Sequence, residues 1–94
     1  MSGKKIDVGP VGERLAKNVQ SIRTAKRLQY KELSDLMGSA GRPIAPLGIR
    51  RIEEQERRVD AQDLAALSGV LGFPVEQLLF SEIELEAEYK VVGA

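Results

Sequence analysis

Residues 38–46, GSAGRPIAP, place Gly38, Gly41, Pro43 and Pro46 within one short stretch. Proline removes a backbone donor and locks φ, and glycine weakens helix and strand alike, so no regular element passes through this segment. Pro43 also pushes Arg42 towards an extended backbone. The chain must therefore fold as short elements on either side of a break. At 94 residues it has the length of one small domain rather than two cores.

On both sides of the break, apolar residues recur at spacings of three and four, the mark of amphipathic helices. From Pro10, which suits a first helical turn, Val11, Leu15, Val19 and Ile22 predict a helix reaching about Leu28. QYKELSDLMG predicts a second, short helix with Leu33, Leu36 and Met37 as its stripe and Gly38 as its left-handed stop. A third begins near Pro46, with Ile49 and Ile52 facing inward and Arg50, Arg51 and Glu54 outward. Asp60, with Asp63 three residues on, caps a fourth that buries Leu64, Leu67 and Leu71 and stops at Gly72. Pro74 opens a fifth in PVEQLLF.

The expected fold class is all-α, with five helices over residues 10–80, a flexible arm at 1–9 and a C-terminal extension at 81–94. In that extension Ile83, Leu85, Ala87, Tyr89 and Val91 alternate with Glu84, Glu86, Glu88, Lys90 and Val92. A period of two reads as a β-strand; a glutamate-rich helix capped by Ser81 is the competing reading. A lone strand in a helical chain leaves its backbone groups unpaired. Pairing with the same segment of a second copy would satisfy them, which makes Ile83, Leu85, Ala87, Tyr89 and Val91 the expected interface of a homodimer.

The chain has neither cysteine nor histidine. Thiolate nucleophiles, metal sites with sulfur or imidazole ligands, and the commonest general base are thereby absent. Nothing groups the remaining carboxylates, lysines, tyrosines and serines, so no enzyme activity, metal or cofactor is expected. No apolar run approaches the roughly 20 residues of a membrane span, and no membrane partner is expected. MSGKKIDVGP lacks the apolar centre of a secretory signal, so the expected address is cytoplasmic. Net charge is zero but unevenly placed. Residues 1–58 carry thirteen Lys/Arg and seven Asp/Glu, whereas residues 59–94 carry one and seven. Such a chain presents a basic end to an anionic partner, or else simply has two solvated faces of opposite sign.

Short helices with a break between the second and third suggest a helix-turn-helix. VQSIRTAKRLQYKELS, IRRIEEQERRVD and LAALSGVLGFPVEQLL, in that order and spacing, resemble the xenobiotic-response-element family, the DNA-binding domain of Cro and phage repressors. The resemblance covers about residues 12–80. It implies a five-helix repressor-like domain and a regulator, most simply a repressor, that binds double-stranded DNA at a palindromic operator as a homodimer. The helix at about 46–54 would read the bases.

Two departures stand out. Where the family has a tight turn, this chain inserts Ser39 to Pro43, giving an enlarged turn. Where family repressors often carry polar base readers, it has Pro46, Leu47 and Gly48.

Base reading then falls to the arginines, because Arg50 or Arg51 can take guanine O6 and N7 as a bidentate pair. Arg51 is in register with a later base reader of the family. Leu47 can pack on a thymine methyl or merely on the loop, and Gly48 allows close approach. Arg42 at the loop tip would reach a phosphate or the groove edge. Arg57 and Arg58 fit phosphate clamping. Gln29 and Tyr30 start the second helix, where the family contacts the DNA backbone; the Tyr30 hydroxyl would donate to a phosphate, or else Tyr30 is a half-buried surface residue. The competing reading for Arg50 and Arg51 is a solvated face paired with Glu53 and Glu54, and for Arg57 and Arg58 a surface ion-pair cluster beside Glu56, worth little. Arg23 and Glu53 match positions where the family has an ion pair tying the first helix to the end of the third. They are read as structural rather than as DNA contacts. The alternative function is a protein-interaction module, such as an antitoxin or a helix-turn-helix relic that binds a partner protein. Zero net charge and an apolar helix tip favour it.

Overall fold

The computed structural model describes residues 4–85, which form five α-helices: α1 (Gly9–Ala25), α2 (Tyr30–Ser39), α3 (Pro46–Glu53), α4 (Ala61–Leu71) and α5 (Val75–Phe80). No strand occurs among the described residues. α1 is the central element. Its buried stripe of Leu15, Val19 and Ile22 meets α5, α3 and α4, while α2 packs on α3 and α4. Leu33, Met37, Ile49, Leu67, Leu71 and Leu78 close the core, each at most 1 % exposed. Burial of one such side chain is worth about 1.5–3 kcal/mol, so this single cluster holds the helices together.

Two expected core positions lie outside it. Val11 and Leu36 are 41 % and 42 % exposed, because the stripe of α1 starts one turn later and α2 turns Leu33 and Met37 inward instead. Leu64 is only partly buried. α1 ends at Ala25, short of Leu28.

The stop of α2 is also placed differently. Gly38 lies within the helix, and the left-handed residue is Gly41, φ 86°. There the Arg42 N–H donates to the Met37 carbonyl and the Gly41 N–H to Gly38, a Schellman closure. Ser39 thus belongs to α2. α1 and α3 end the same way around Arg27 (φ 56°) and Gln55 (φ 61°), neither of them glycine.

The N-terminal stretch is tied rather than loose where it is described. The Ile6 N–H donates to the Gln55 carbonyl at 2.8 Å, and Asp7 accepts from the Gly9 N–H at 3.0 Å. At the other end, Asn18 is fully buried in the middle of α1. Its Nδ2 donates to the carbonyls of Leu78 and Ser81, both at 2.8 Å, and its Oδ1 accepts from the Ile83 N–H at 3.0 Å. One amide therefore stitches the end of α5 and the segment after it onto α1.

Candidate nucleic-acid interface

α3 presents the candidate surface. Pro46 at its first turn costs no hydrogen bond. Ile49 and Ile52 are buried and anchor the helix, which leaves Leu47, Arg50 and Arg51 exposed on the other side. Leu47 is 50 % exposed. Gly48 is half-buried, and a Cβ there would stand 2.8 Å from Ile44 Cγ2. Its lack of a side chain is thus already used within the fold, by Ile44 packing under the start of α3. The Ile44 carbonyl is itself held by the Ser34 hydroxyl at 2.6 Å.

The end of α3 is braced from behind. Arg23 donates from Nε to Glu53 Oε2 at 2.6 Å and from Nη2 to Oε1 at 3.1 Å, and its Nη1 donates to the Leu28 carbonyl at 2.9 Å. The Tyr30 hydroxyl donates to Glu53 Oε1 at 3.1 Å, and its ring lies under the Arg23 guanidinium, 4.2 Å to the centroid. Glu53 is buried with its charge fully answered. The hydrogen bond to Glu53 raises the Arg23 guanidinium, outweighing its desolvation. Burial, then the Glu53 charge and hydrogen bond, push the Tyr30 phenol up. Tyr30, for which the sequence left a phosphate contact and a half-buried surface position both open, is half-buried and is the third member of a structural cluster linking α1, α2 and α3.

A second cluster absorbs Arg42. Its Nε donates to Asp63 Oδ1 at 2.7 Å, its Nη2 to Asp60 Oδ2 at 2.6 Å and its Nη1 to Gln62 Oε1 at 3.3 Å. Arg57 Nη1 reaches the other oxygen of Asp63 at 3.3 Å. Asp60 caps α4 as expected, and with Asp63 it forms a capping box: the Asp63 N–H donates to Asp60 Oδ1 and the Asp60 N–H to Asp63 Oδ2. Burial alone would raise the Asp63 carboxyl. The Arg42 hydrogen bond, the Asp60 N–H and the charges of Arg57 and Arg42 outweigh it, and hold Asp63 below its ordinary value. Arg42 thus docks the segment between α2 and α3 on the start of α4 instead of projecting into solvent. Arg57 shares in that docking.

What remains displayed is a smaller set than the sequence suggested. Gln29, at the cap of α2, is exposed, and its N–H is taken by the Glu32 carboxylate at 2.7 Å. Arg50 reaches Glu54 at 3.1 Å, an i,i+4 surface pair whose hydrogen bond raises the guanidinium. Arg51 and Arg58 are exposed and form no ion pair with any described residue. Ile83 is 8 % exposed and lies in the chain's own core, so it is not a free interface residue; Leu85 is 37 % exposed. Ala87, Tyr89 and Val91 lie outside the described residues.

Sequence reasoning missed Asn18, since a lone asparagine in a helix gives no signal of its distant partners. It also missed a groove of about 250 Å³ between the start of α1 and α4, walled by Val11, Val59, Leu64 and Leu79 with Arg57 and Arg58 beside them. No helix among the described residues is long and apolar enough to cross a membrane, and no group of acidic residues there is arranged to hold a metal. No family model, curated protein or solved structure matches the chain.

Proposed function

We propose that this protein is a sequence-specific DNA-binding regulator of the helix-turn-helix kind, with α3 as recognition helix, acting as a homodimeric repressor on a palindromic operator. The observation that carries the reading is the exposed face of α3. Leu47, Arg50 and Arg51 project from a helix whose buried side is fixed by Ile49 and Ile52, and whose end is locked by Arg23, Glu53 and Tyr30. A rigid helix displaying an uncommitted arginine suits bidentate contact with guanine. Arg58 beyond the helix and Gln29 at the start of α2 flank it as phosphate contacts. Arg42, Tyr30 and Arg57 are assigned to structural roles in this proposal.

Selection of bound duplexes from random DNA tests it. An enriched palindrome with half-sites about 34 Å apart, bound with an affinity that falls steeply with salt, is the expected result. Failure to enrich any site, or binding indifferent to salt, rejects it. Arg51→Ala should cost about 1–3 kcal/mol at the selected site and relax preference at one base pair.

The second reading, docking of a partner protein, rests on the exposed Leu36 and Leu47. It gains if the chain ignores DNA yet Leu47→Asp abolishes capture of a partner.

A further inference from the structure

Resting on the DNA-binding reading, we propose that Leu47 reads the 5-methyl group of a pyrimidine in the major groove, within about two base pairs of the guanine contacted by Arg51.

The first turn of α3 consists of Pro46, Leu47 and Gly48, and no side chain caps it. It therefore offers base edges no side-chain hydrogen bond. Its sole side chain with reach is Leu47, which the core does not need: Ile44, Ile49 and Ile52 fill the space beneath, and Leu47 stands half in solvent. The major groove displays one apolar feature, the methyl on C5 of thymine. 5-Methylcytosine presents the same group.

Position is fixed as well as chemistry. The close fit of Gly48 over Ile44 pins the backbone next to Leu47, with Ser34 holding the Ile44 carbonyl. A methyl contact requires van der Waals proximity, and a pinned backbone supplies it. Leu47 and Arg51 are four residues apart and share a face, separated by about 6 Å along the axis. Base pairs are about 3.4 Å apart, so the two contacts fall one or two steps from each other. The neighbouring arginine is less suited to the second contact, since Arg50 is engaged by Glu54. The half-site is thereby read by one apolar and one bidentate contact from a single helical face.

The experiment starts from the selected duplex. The guanine whose preference disappears in Arg51→Ala locates the reading frame. Each thymine within two base pairs is then replaced by deoxyuridine, which removes only the methyl, and each cytosine by 5-methylcytosine, which adds one. At one position the wild-type protein should bind about three- to fivefold more weakly with deoxyuridine, the value of one buried carbon. If the half-site carries cytosine there, the methylated duplex should bind more tightly by that factor. Leu47→Ala should bind both members of that pair equally.

If the wild type is indifferent to every methyl, or Leu47→Ala keeps the same discrimination, the inference fails while the DNA-binding reading stands. If no duplex is retained at all, both fail together. Thermal unfolding of Leu47→Ala should match the wild type, because an exposed side chain is removed; a large loss of stability would assign Leu47 to packing and overturn the proposal.

Discussion

Arg42 and Asp63 stand 21 positions apart in the chain and 2.7 Å apart in the fold, and their contact docks the segment between α2 and α3 onto the start of α4. The carboxylate at the centre is buried, caps a helix and meets two guanidinium groups. Its proton affinity is depressed on folding, so it contributes stability above the unfolded carboxyl's value of about 4, and that contribution is lost as pH falls through the folded value. Asp63→Asn should lower stability at pH 7 by about 2–4 kcal/mol, since it leaves guanidinium groups facing a neutral amide. It should also lose less than the wild type on acidification to pH 3. Urea denaturation at the two pH values measures both; equal acid losses would show that another group governs the transition.

The Arg23–Glu53 pair makes a similar case in a drier setting, with side chains 12 % and 1 % exposed. Removal of one partner strands the other. Glu53→Ala should cost about 3 kcal/mol, and the double change with Arg23→Met should recover part of it. Tyr30→Phe, which removes one of the donors to Glu53, should cost about 1 kcal/mol. Additive losses in the Arg23/Glu53 cycle would mean that the two groups are not coupled.

Gly48 is limited by Ile44 rather than by anything outside the protein. A Cβ at 2.8 Å from Ile44 Cγ2 forces a β-branched side chain or the start of α3 to move. Gly48→Ala should destabilise the fold by about 1–3 kcal/mol despite the better helix propensity of alanine. In an Ile44→Ala background the same change should be neutral or favourable. Thermal melts of the four proteins decide it, and a loss that persists without the Ile44 side chain would place the obstacle elsewhere.

α3 closes around Gln55 at φ 61°, a left-handed conformation that costs an L side chain energy and a glycine nothing comparable. Gln55→Gly keeps the backbone carbonyl that holds the Ile6 N–H. It should stabilise the protein by about 0.5–1 kcal/mol, the relief of strain being partly offset by the added freedom of the unfolded chain. A lowered melting temperature would mean that the Gln55 side chain makes a stronger contribution than its backbone loses.

The helices were legible where local chemistry decides them. Pro46, Asp60 with Asp63, Gly72 and Pro74 mark the starts and stops that the fold displays. The left-handed stops at Arg27 and Gln55 were not legible, since neither residue type favours that conformation. Arg23 and Glu53 meet where the family resemblance put them together. The fate of Arg42 was hidden because a loop arginine looks alike whether it faces solvent or a carboxylate 21 residues on. Asn18 was hidden for the same reason: its partners lie about 60 residues away. Alternation in the tail placed Ile83 on an interface, yet its N–H donates to Asn18 and its side chain lies in the core of the five helices.

That last contact decides how the proposed dimer must be tested. Cutting the chain after Ser81 removes Ile83 from the core and orphans the buried Oδ1 of Asn18, so it should unfold the protein partly through causes unrelated to association. Cutting after Leu85 spares both. Residues 86–94 keep Ala87, Tyr89 and Val91 of the alternating set, from which the sequence leads one to expect a homodimer interface. The shorter truncation, ending at Leu85, should therefore retain the wild-type melting behaviour at high dilution, sediment as a monomer, and bind a half-site as before. On a full palindrome it should lose at least tenfold in affinity, because the second half-site is no longer supplied by a tethered copy. Sedimentation and titration on half and full sites measure these outcomes together. A dimer of undiminished affinity after removal of residues 86–94 would move the interface to the helical body, where Phe80, Leu36 and Val11 are among the exposed apolar side chains.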